Sequence, residues 1–135
     1  TSRILVVDDQ ASNILLSRRI LESAGHVVQA ARDGREAVNA IEEAARIGQP
    51  YDLILMDLMM PVLDGISATC ELRAANYTGT IVAFTADAQT ATRKRCQEAG
   101  CDGILTKPSG KQQLLDEVSI YLQGRPSPSR LRPAA

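Results

Sequence analysis

The sequence predicts an α/β protein with a doubly wound, five-stranded parallel sheet, and three observations carry that expectation. Short apolar runs rich in β-branched residues alternate with helix-like stretches five times along the chain. Several runs, ILVV, LILM and TIVAF, are apolar at consecutive positions rather than at every second one, as in strands covered on both faces. A length of 135 residues fits one domain with a core of its own.

The first strand is expected at Arg3–Val7 and the first helix at Ser12–Ala24. At about 100° per residue, Leu16, Ser17, Ile20, Leu21 and Ala24 share the helix face that should meet the sheet, while Leu15 projects among Arg18, Arg19 and Glu22. Val27–Ala31 and Gly34–Ile47 form the second unit, with Gly25 and Gly48 at helix-stop positions. Asp52–Met56 and Gly65–Ala75 form the third. The fourth pairs Thr80–Phe84 with Ala88–Ala99, a helix ended by Gly100 that offers little apolar surface beyond Ala88, Ala91 and Ala99 and should be weakly held. Asp102–Thr106 and Lys111–Leu122 complete the series. The end of the chain, GRPSPSRLRPAA, has almost no apolar content and reads as a disordered linker or tail. The domain is therefore expected over 1–123 and the tail over 124–135.

Composition narrows the function classes. Apolar residues at 44% and charged residues at 23% are the balance of a soluble globular chain. No apolar run approaches the roughly 18 residues that would cross a bilayer, and TSRILVVDD lacks the layout of a signal peptide. The expectation is a cytoplasmic segment without direct membrane contact. Opening on Thr1 rather than Met, it reads as part of a longer polypeptide, whose parent can be membrane-anchored. Three arginines (Arg125, Arg130, Arg132) lie beyond Gly124 with no acid among them, so the body is four charges negative and offers no footprint for nucleic acid. Cys70, Cys96 and Cys101 lack a CxxC pair or a His at ligand spacing, and reduced thiols packed as small hydrophobes are expected.

In a doubly wound sheet, ligands bind beyond the carboxyl ends of the strands. Asp8 and Asp9 follow the first strand, Asp57 the third, Thr85 and Ala86 the fourth, and Lys107 and Pro108 the fifth. Each alone has a plainer reading: an Asp pair caps helices, and Lys-Pro is usually a turn. Together, three carboxylates would repel one another unless a hard divalent cation joined them, and Mg²⁺ suits all-oxygen ligands and phosphate. Lys107 adds a charge and Thr85 a hydroxyl donor for a phosphoryl oxygen. A carboxylate nucleophile, a cation, a lysine and a hydroxyl make a phosphoryl-transfer site.

The runs ILVVDD (Ile4–Asp9), DLILMDLMMPVLDG (Asp52–Gly65), AFTA (Ala83–Ala86) and EAGCDGILTKP (Glu98–Pro108) resemble the signature blocks of response-regulator receiver domains of two-component phosphorelays. The resemblance spans about residues 3 to 122 and is closest in style to receivers of hybrid sensor histidine kinases. It implies the flavodoxin-like receiver fold with strand order 2-1-3-4-5, and a phosphoryl group passed from a phosphohistidine donor to Asp57 with Mg²⁺ beside it. By position, Asp9 and Asp57 resemble the direct metal ligands, Asp8 helps through water, and Met59 lends its backbone carbonyl. Lys107 matches the family lysine, and Thr85 the hydroxyl that follows the phosphoryl group and starts the switch. Ala86 offers a backbone N–H to a phosphoryl oxygen. Met59 and Asp87, two past the acceptor and two past the threonine, should tune the lifetime of the phosphorylated form. The Lys107–Pro108 bond resembles one that is cis in the family. Partners implied are a histidine kinase or a histidine phosphotransfer domain, docking beside the first helix where Leu15 would touch them. The implied chemistry is self-catalysed phosphotransfer and autodephosphorylation. The parent is expected to be a hybrid histidine kinase, with a stand-alone single-domain regulator as the alternative.

One position departs from the pattern: Ile104 stands three before the lysine, where many receivers carry Tyr or Phe. Coupling is therefore expected through the Ala88–Ala99 helix. Three rivals share parts of the design. A haloacid-dehalogenase-like phosphatase needs a second Asp at the position of Met59. A flavodoxin would have its flavin phosphate repelled by Asp8 and Asp9, and lacks a Trp to stack the ring. A pseudo-receiver would have lost Asp57 or Lys107.

Overall fold

The computed structural model describes residues 2–87, 89–107, 110–124 and 131. Five βα units follow one another: β1 (Arg3–Val7), α1 (Ala11–Ser23), β2 (Val27–Ala31), α2 (Gly34–Arg46), β3 (Leu53–Met56), α3 (Gly65–Ala74), β4 (Ile81–Thr85), α4 (Thr90–Ala99), β5 (Gly103–Thr106) and α5 (Lys111–Gln123). The strands form one parallel sheet in the order β2-β1-β3-β4-β5. This is the flavodoxin-like arrangement, with its strand order reversing between β1 and β3.

Alternation along each strand sorts the core into two layers. Leu5, Val7, Ile54, Met56, Ile81, Ala83 and Ile104 pack on one face with residues of α2, α3 and α4. Ile4, Val6, Leu53, Leu55, Val82, Phe84 and Leu105 pack on the other with α1 and α5. With both faces covered, β1, β3 and β4 are buried almost throughout, and this is why they read as unbroken apolar runs.

Three strands differ from expectation by a residue at one end or both. Asp52 and Asp102 stand just before β3 and β5 because their carboxylates serve neighbouring chain starts: Asp52 accepts from the Arg3 N–H at 2.8 Å and Asp102 from the Ile81 N–H at 2.9 Å. β4 begins at Ile81 rather than Thr80 and runs one residue further, because Thr85 pairs in register with Thr106.

The first helix is rotated from the expected setting. Its buried stripe is Ile14, Ser17 and Leu21, with Ile20 half-buried; Leu16 is 60% exposed and Ala24 is exposed. Leu16 lies about 200° around the helix from Ile14, so the two cannot face the sheet together. The Arg18 guanidinium, which donates to the Val28 carbonyl at 2.8 Å, holds the helix in this rotation. In α4, Ala91 is exposed, Ala99 is buried, and the anchor missed in the sequence is Cys96. Ala88 lies outside the described residues.

Cys96 and Cys101 are buried free thiols and Cys70 is an exposed one. Of the tail, Gly124 and Leu131 are described; the Leu131 N–H donates to the Asp102 carbonyl at 2.7 Å and its side chain packs on the layer containing α3 and α4. No described helix is long and apolar enough to cross a membrane.

Candidate functional site

The site forms where the strand order reverses, so that the ends of β1 and β3 lie side by side. Backbone pairing continues past the strands: the Asp8 N–H donates to the Ala31 carbonyl at 3.1 Å and the Asp57 N–H to the Val7 carbonyl at 2.9 Å. These bonds fix both carboxylates at the same level. Asp8 and Asp57 are buried and Asp9 half-buried, and a carboxylate oxygen from each lies within 4.8 Å of the others. On the far side, the Lys107 N–H donates to the Thr85 carbonyl at 2.7 Å, aligning the ends of β4 and β5.

The lysine then reaches across. Its Nζ is paired with Asp8 and lies 3.7 Å from Asp57 Oδ2, over the ring of Phe84 at 5.3 Å from its centroid. Phe84 is a site residue the sequence reading did not single out. Its signal was its place one before Thr85 on the strand that pairs with β5, where a ring can hold an ammonium by cation–π attraction.

Asp57 Oδ1 accepts from the Met59 N–H at 3.3 Å. Burial raises the Asp57 carboxyl above its ordinary value; Lys107 and the Met59 N–H oppose that rise, and the Asp8 and Asp9 charges add to it. The cluster is thus strained electrostatically in the way a bound cation would relieve. Oxygen donors at this spacing fit a hard divalent ion, and Asp8, Asp9 and Asp57 are the residues that could hold it.

Thr85 closes the opposite wall. Its side chain is buried, and Oγ1 accepts from the Asp87 N–H at 3.2 Å. Ala86 and Asp87 are exposed at the mouth; the Asp87 carboxylate accepts from the Gln89 N–H at 3.1 Å and the Thr92 hydroxyl at 2.8 Å. These bonds hold the Asp87 carboxyl below the usual carboxylate range. Met59 is 77% exposed on the rim. The cleft lined by Asp9, Asp57, Met59, Thr85, Ala86 and Lys107 encloses about 440 Å³. Leu15 is 49% exposed on α1, beside the exposed Leu16. The Lys107–Pro108 bond lies outside the described residues, since Pro108 does.

Two glycines also shape the site. A Cβ on Gly65 would come 2.1 Å from the Asp57 carbonyl, and one on Gly34 would come 2.3 Å from the Leu63 carbonyl. Between them the loop makes a tight turn, with Val62 at φ 67° and the Leu63 N–H bonded to the Pro61 carbonyl at 2.7 Å. A β-branched residue at positive φ is uncommon and costs strain. Backbone bonds on either side hold the loop there, from the Gly34 N–H to the Leu63 carbonyl at 2.8 Å and from the Gly65 N–H to the Leu58 carbonyl at 3.2 Å.

Residues 4–119 match the family model described as the response regulator receiver domain. The chain belongs to that family. This receiver domain is 40% identical over 114 residues to the two-component response regulator ORR41 of Oryza sativa subsp. japonica, covering 83% of this chain and 87% of the relative. It is 37% identical over 128 residues to the osmosensing histidine protein kinase SLN1 of Saccharomyces cerevisiae, covering 91% of this chain. Of that kinase it spans about a tenth of the length, 10%. Among solved structures it is similar to the receiver domain of sensor histidine kinase PA1611 from Pseudomonas aeruginosa PAO1, which has a magnesium ion coordinated in its active-site cleft. The identity is 36% and the TM-score 0.80, over 90% of this chain and 98% of that one. As a receiver domain, the chain is a phosphoryl acceptor of two-component signalling.

Proposed function

We propose that Asp57 is the residue that takes the phosphoryl group, from a phosphohistidine on a histidine kinase or histidine phosphotransfer domain. The observation that carries this is the meeting of Asp8, Asp9 and Asp57 at the switch point with Lys107 bridging toward two of them. An Asp57 oxygen attacks phosphorus, the P–N bond breaks, and the imidazole leaves with the electron pair. Mg²⁺ held by Asp8, Asp9 and Asp57, with the Met59 carbonyl, would offset the charge of the phosphoryl oxygens. Lys107 shifts from Asp8 toward a phosphoryl oxygen. Thr85 Oγ1 gives up the Asp87 N–H and turns its hydroxyl inward, and the Ala86 N–H supplies a further donor. Met59 and Asp87 flank the approach of a hydrolytic water and set how long the group stays.

The buried Ile104 at the place of an aromatic switch residue supports a readout through α4. The exposed Leu15, with Leu16, supports docking of the donor's helix along α1. The resemblance to receiver segments of larger kinases favours a hybrid histidine kinase as the parent, acting on the cytoplasmic side, over a stand-alone regulator. Residues 124–135 would then be its linker or tail.

The test is incubation with acetyl phosphate and Mg²⁺, read by intact mass and peptide mapping. One phosphoryl group should appear on Asp57 and none in excess EDTA, while Asp57→Asn stays folded and unlabelled. Efficient labelling of that variant at another residue would remove Asp57 from its role, and labelling unaffected by EDTA would remove the metal.

A further inference from the structure

The C-terminal end of α4 closes in a capping arrangement whose side-chain contact is made by two thiols. Gly100 takes the left-handed conformation at φ 107°, the Cys101 N–H donates to the Cys96 carbonyl at 2.9 Å, and the Gly100 N–H donates to the same carbonyl at 3.1 Å. This six-residue closure sets the residue three from the helix end against the second one beyond it, a contact usually made by two apolar side chains. Here the pair is Cys96 and Cys101, both fully buried and in the same core layer. On its other side the Cys101 thiol donates to Thr69 Oγ1 at 3.9 Å, and the Thr69 hydroxyl donates to the Gly65 carbonyl at 2.8 Å, behind Asp57. α4 has few other anchors: Cys96 and Ala99 are its buried residues.

We propose that Cys96 and Cys101 are a reversible dithiol–disulfide site, oxidised by a hydroperoxide, whose disulfide fastens the end of α4 to the start of β5. The two thiols are not equivalent. Contact with Cys101, and then the charges of Arg95 and Arg93, draw the Cys96 thiol below its ordinary value, whereas the partner thiol and burial push Cys101 up. Cys96 lies near the end of the weakly anchored helix and is the sulfur uncovered when its last turn opens, so it is the one that attacks. Its thiolate takes the terminal oxygen of the hydroperoxide; the O–O bond breaks, and the alkoxide, or hydroxide from hydrogen peroxide, leaves and takes up the proton that the Cys96 thiol gave up. The Cys101 sulfur then displaces hydroxide from the resulting sulfenic acid, and that hydroxide leaves as water with the Cys101 proton. Two thiols lose two electrons and the peroxide gains them. A thiol reductant reverses the change. The site stands apart from the phosphoryl chemistry, and its test does not depend on that chemistry.

The experiment uses the full chain carrying Cys70→Ser, so that the exposed thiol cannot cross-link, treated with hydrogen peroxide under folding conditions. Loss of two hydrogens is expected, together with a peptide pair that stays joined after cleavage at Glu98 and separates on reduction. Cys96→Ala, Cys101→Ala and the space-filling Cys101→Val should each abolish the linkage. Amide exchange over Thr90–Ala99 should slow on oxidation by on the order of tenfold, since a short closed loop restricts the opened state. Oxidation of either sulfur to sulfinic acid without linkage, or linkage formed only in denaturant, would overturn the site. Linkage with unchanged exchange would overturn its action on α4.

Discussion

α2 and α4 pack on the same face of the sheet, yet they are held in different ways. α2 buries Ala37, Val38, Ile41 and Ala44, and its N-cap Asp33 accepts from the Glu36 N–H at 2.9 Å. α4 buries Cys96 and Ala99, and its N-cap Gln89 makes no side-chain cap bond. The first turn of α4 is tied instead to the site itself, through the Asp87 carboxylate and the Thr92 hydroxyl. One helix is therefore firmly anchored in the core, and the other is lightly anchored and attached to Asp87, two residues past Thr85. The readout through α4 proposed above rests on this contrast, because a phosphoryl group can only move something whose own hold on the core is slight.

The largest expected effect tests the fixed side. Ile41→Ala should lower stability to urea by about 2–4 kcal/mol, because a fully buried branched side chain leaves a cavity in close-packed surroundings. Cys96→Ala removes one sulfur from the principal anchor of α4 and should cost only about 1 kcal/mol. Equal losses in the two variants would end the distinction between the helices.

Capping gives a smaller and more local comparison. Asp33→Ala should cost about 1 kcal/mol, the usual worth of an N-cap carboxylate. Asp87→Ala should cost less in global stability, since Asp87 lies outside the helix it restrains, but should speed amide exchange over Thr90–Arg93 without changing it in α2. If exchange in α4 stays as it was, the Asp87–Thr92 bond does not tether the helix.

The sequence was most informative where position along a strand decides everything. Asp8, Asp57 and Lys107 follow β1, β3 and β5, and strand pairing alone brings their side chains together. Unbroken apolar runs identified β1, β3 and β4 because parallel strands covered on both faces have no polar side to show. Helix rotation was harder to read. In α1 two apolar stripes compete, one through Ile14 and one through Leu16, and the choice falls to a tertiary bond from Arg18 to β2 that has no local signature. Cys96 escapes notice for a similar reason: a single cysteine among TATRKRCQEA does not look like an anchor until the helix end folds back and brings Cys101 into the same core layer. The packing of Phe84 beneath Lys107 and of Gly65 against the Asp57 carbonyl also depends on neighbours distant in sequence.

The smallest expected effect concerns the charge of the acidic cluster without metal. The Asp57 carboxyl is raised above its ordinary value, first by burial, with Asp8 and Asp9 adding to the rise. A raised carboxyl holds its proton more tightly folded than unfolded, so stability from this group is greatest at low pH and is lost as pH climbs from the unfolded value of about 4 through the folded one. Asp57→Asn removes the ionisation. In EDTA, the variant should therefore gain on the natural chain as pH rises toward neutrality, with the difference closing near pH 4. The gain is modest because Asp9 opens the cluster to water, and Lys107 already offsets part of the repulsion. Urea titrations of both chains at several pH values measure it. A difference that stays constant across the range would mean that Asn acts through packing or hydrogen bonding, and that the cluster's charge does not oppose the fold. A difference that grows with pH would show that the acidic cluster is under electrostatic load before any phosphoryl group arrives.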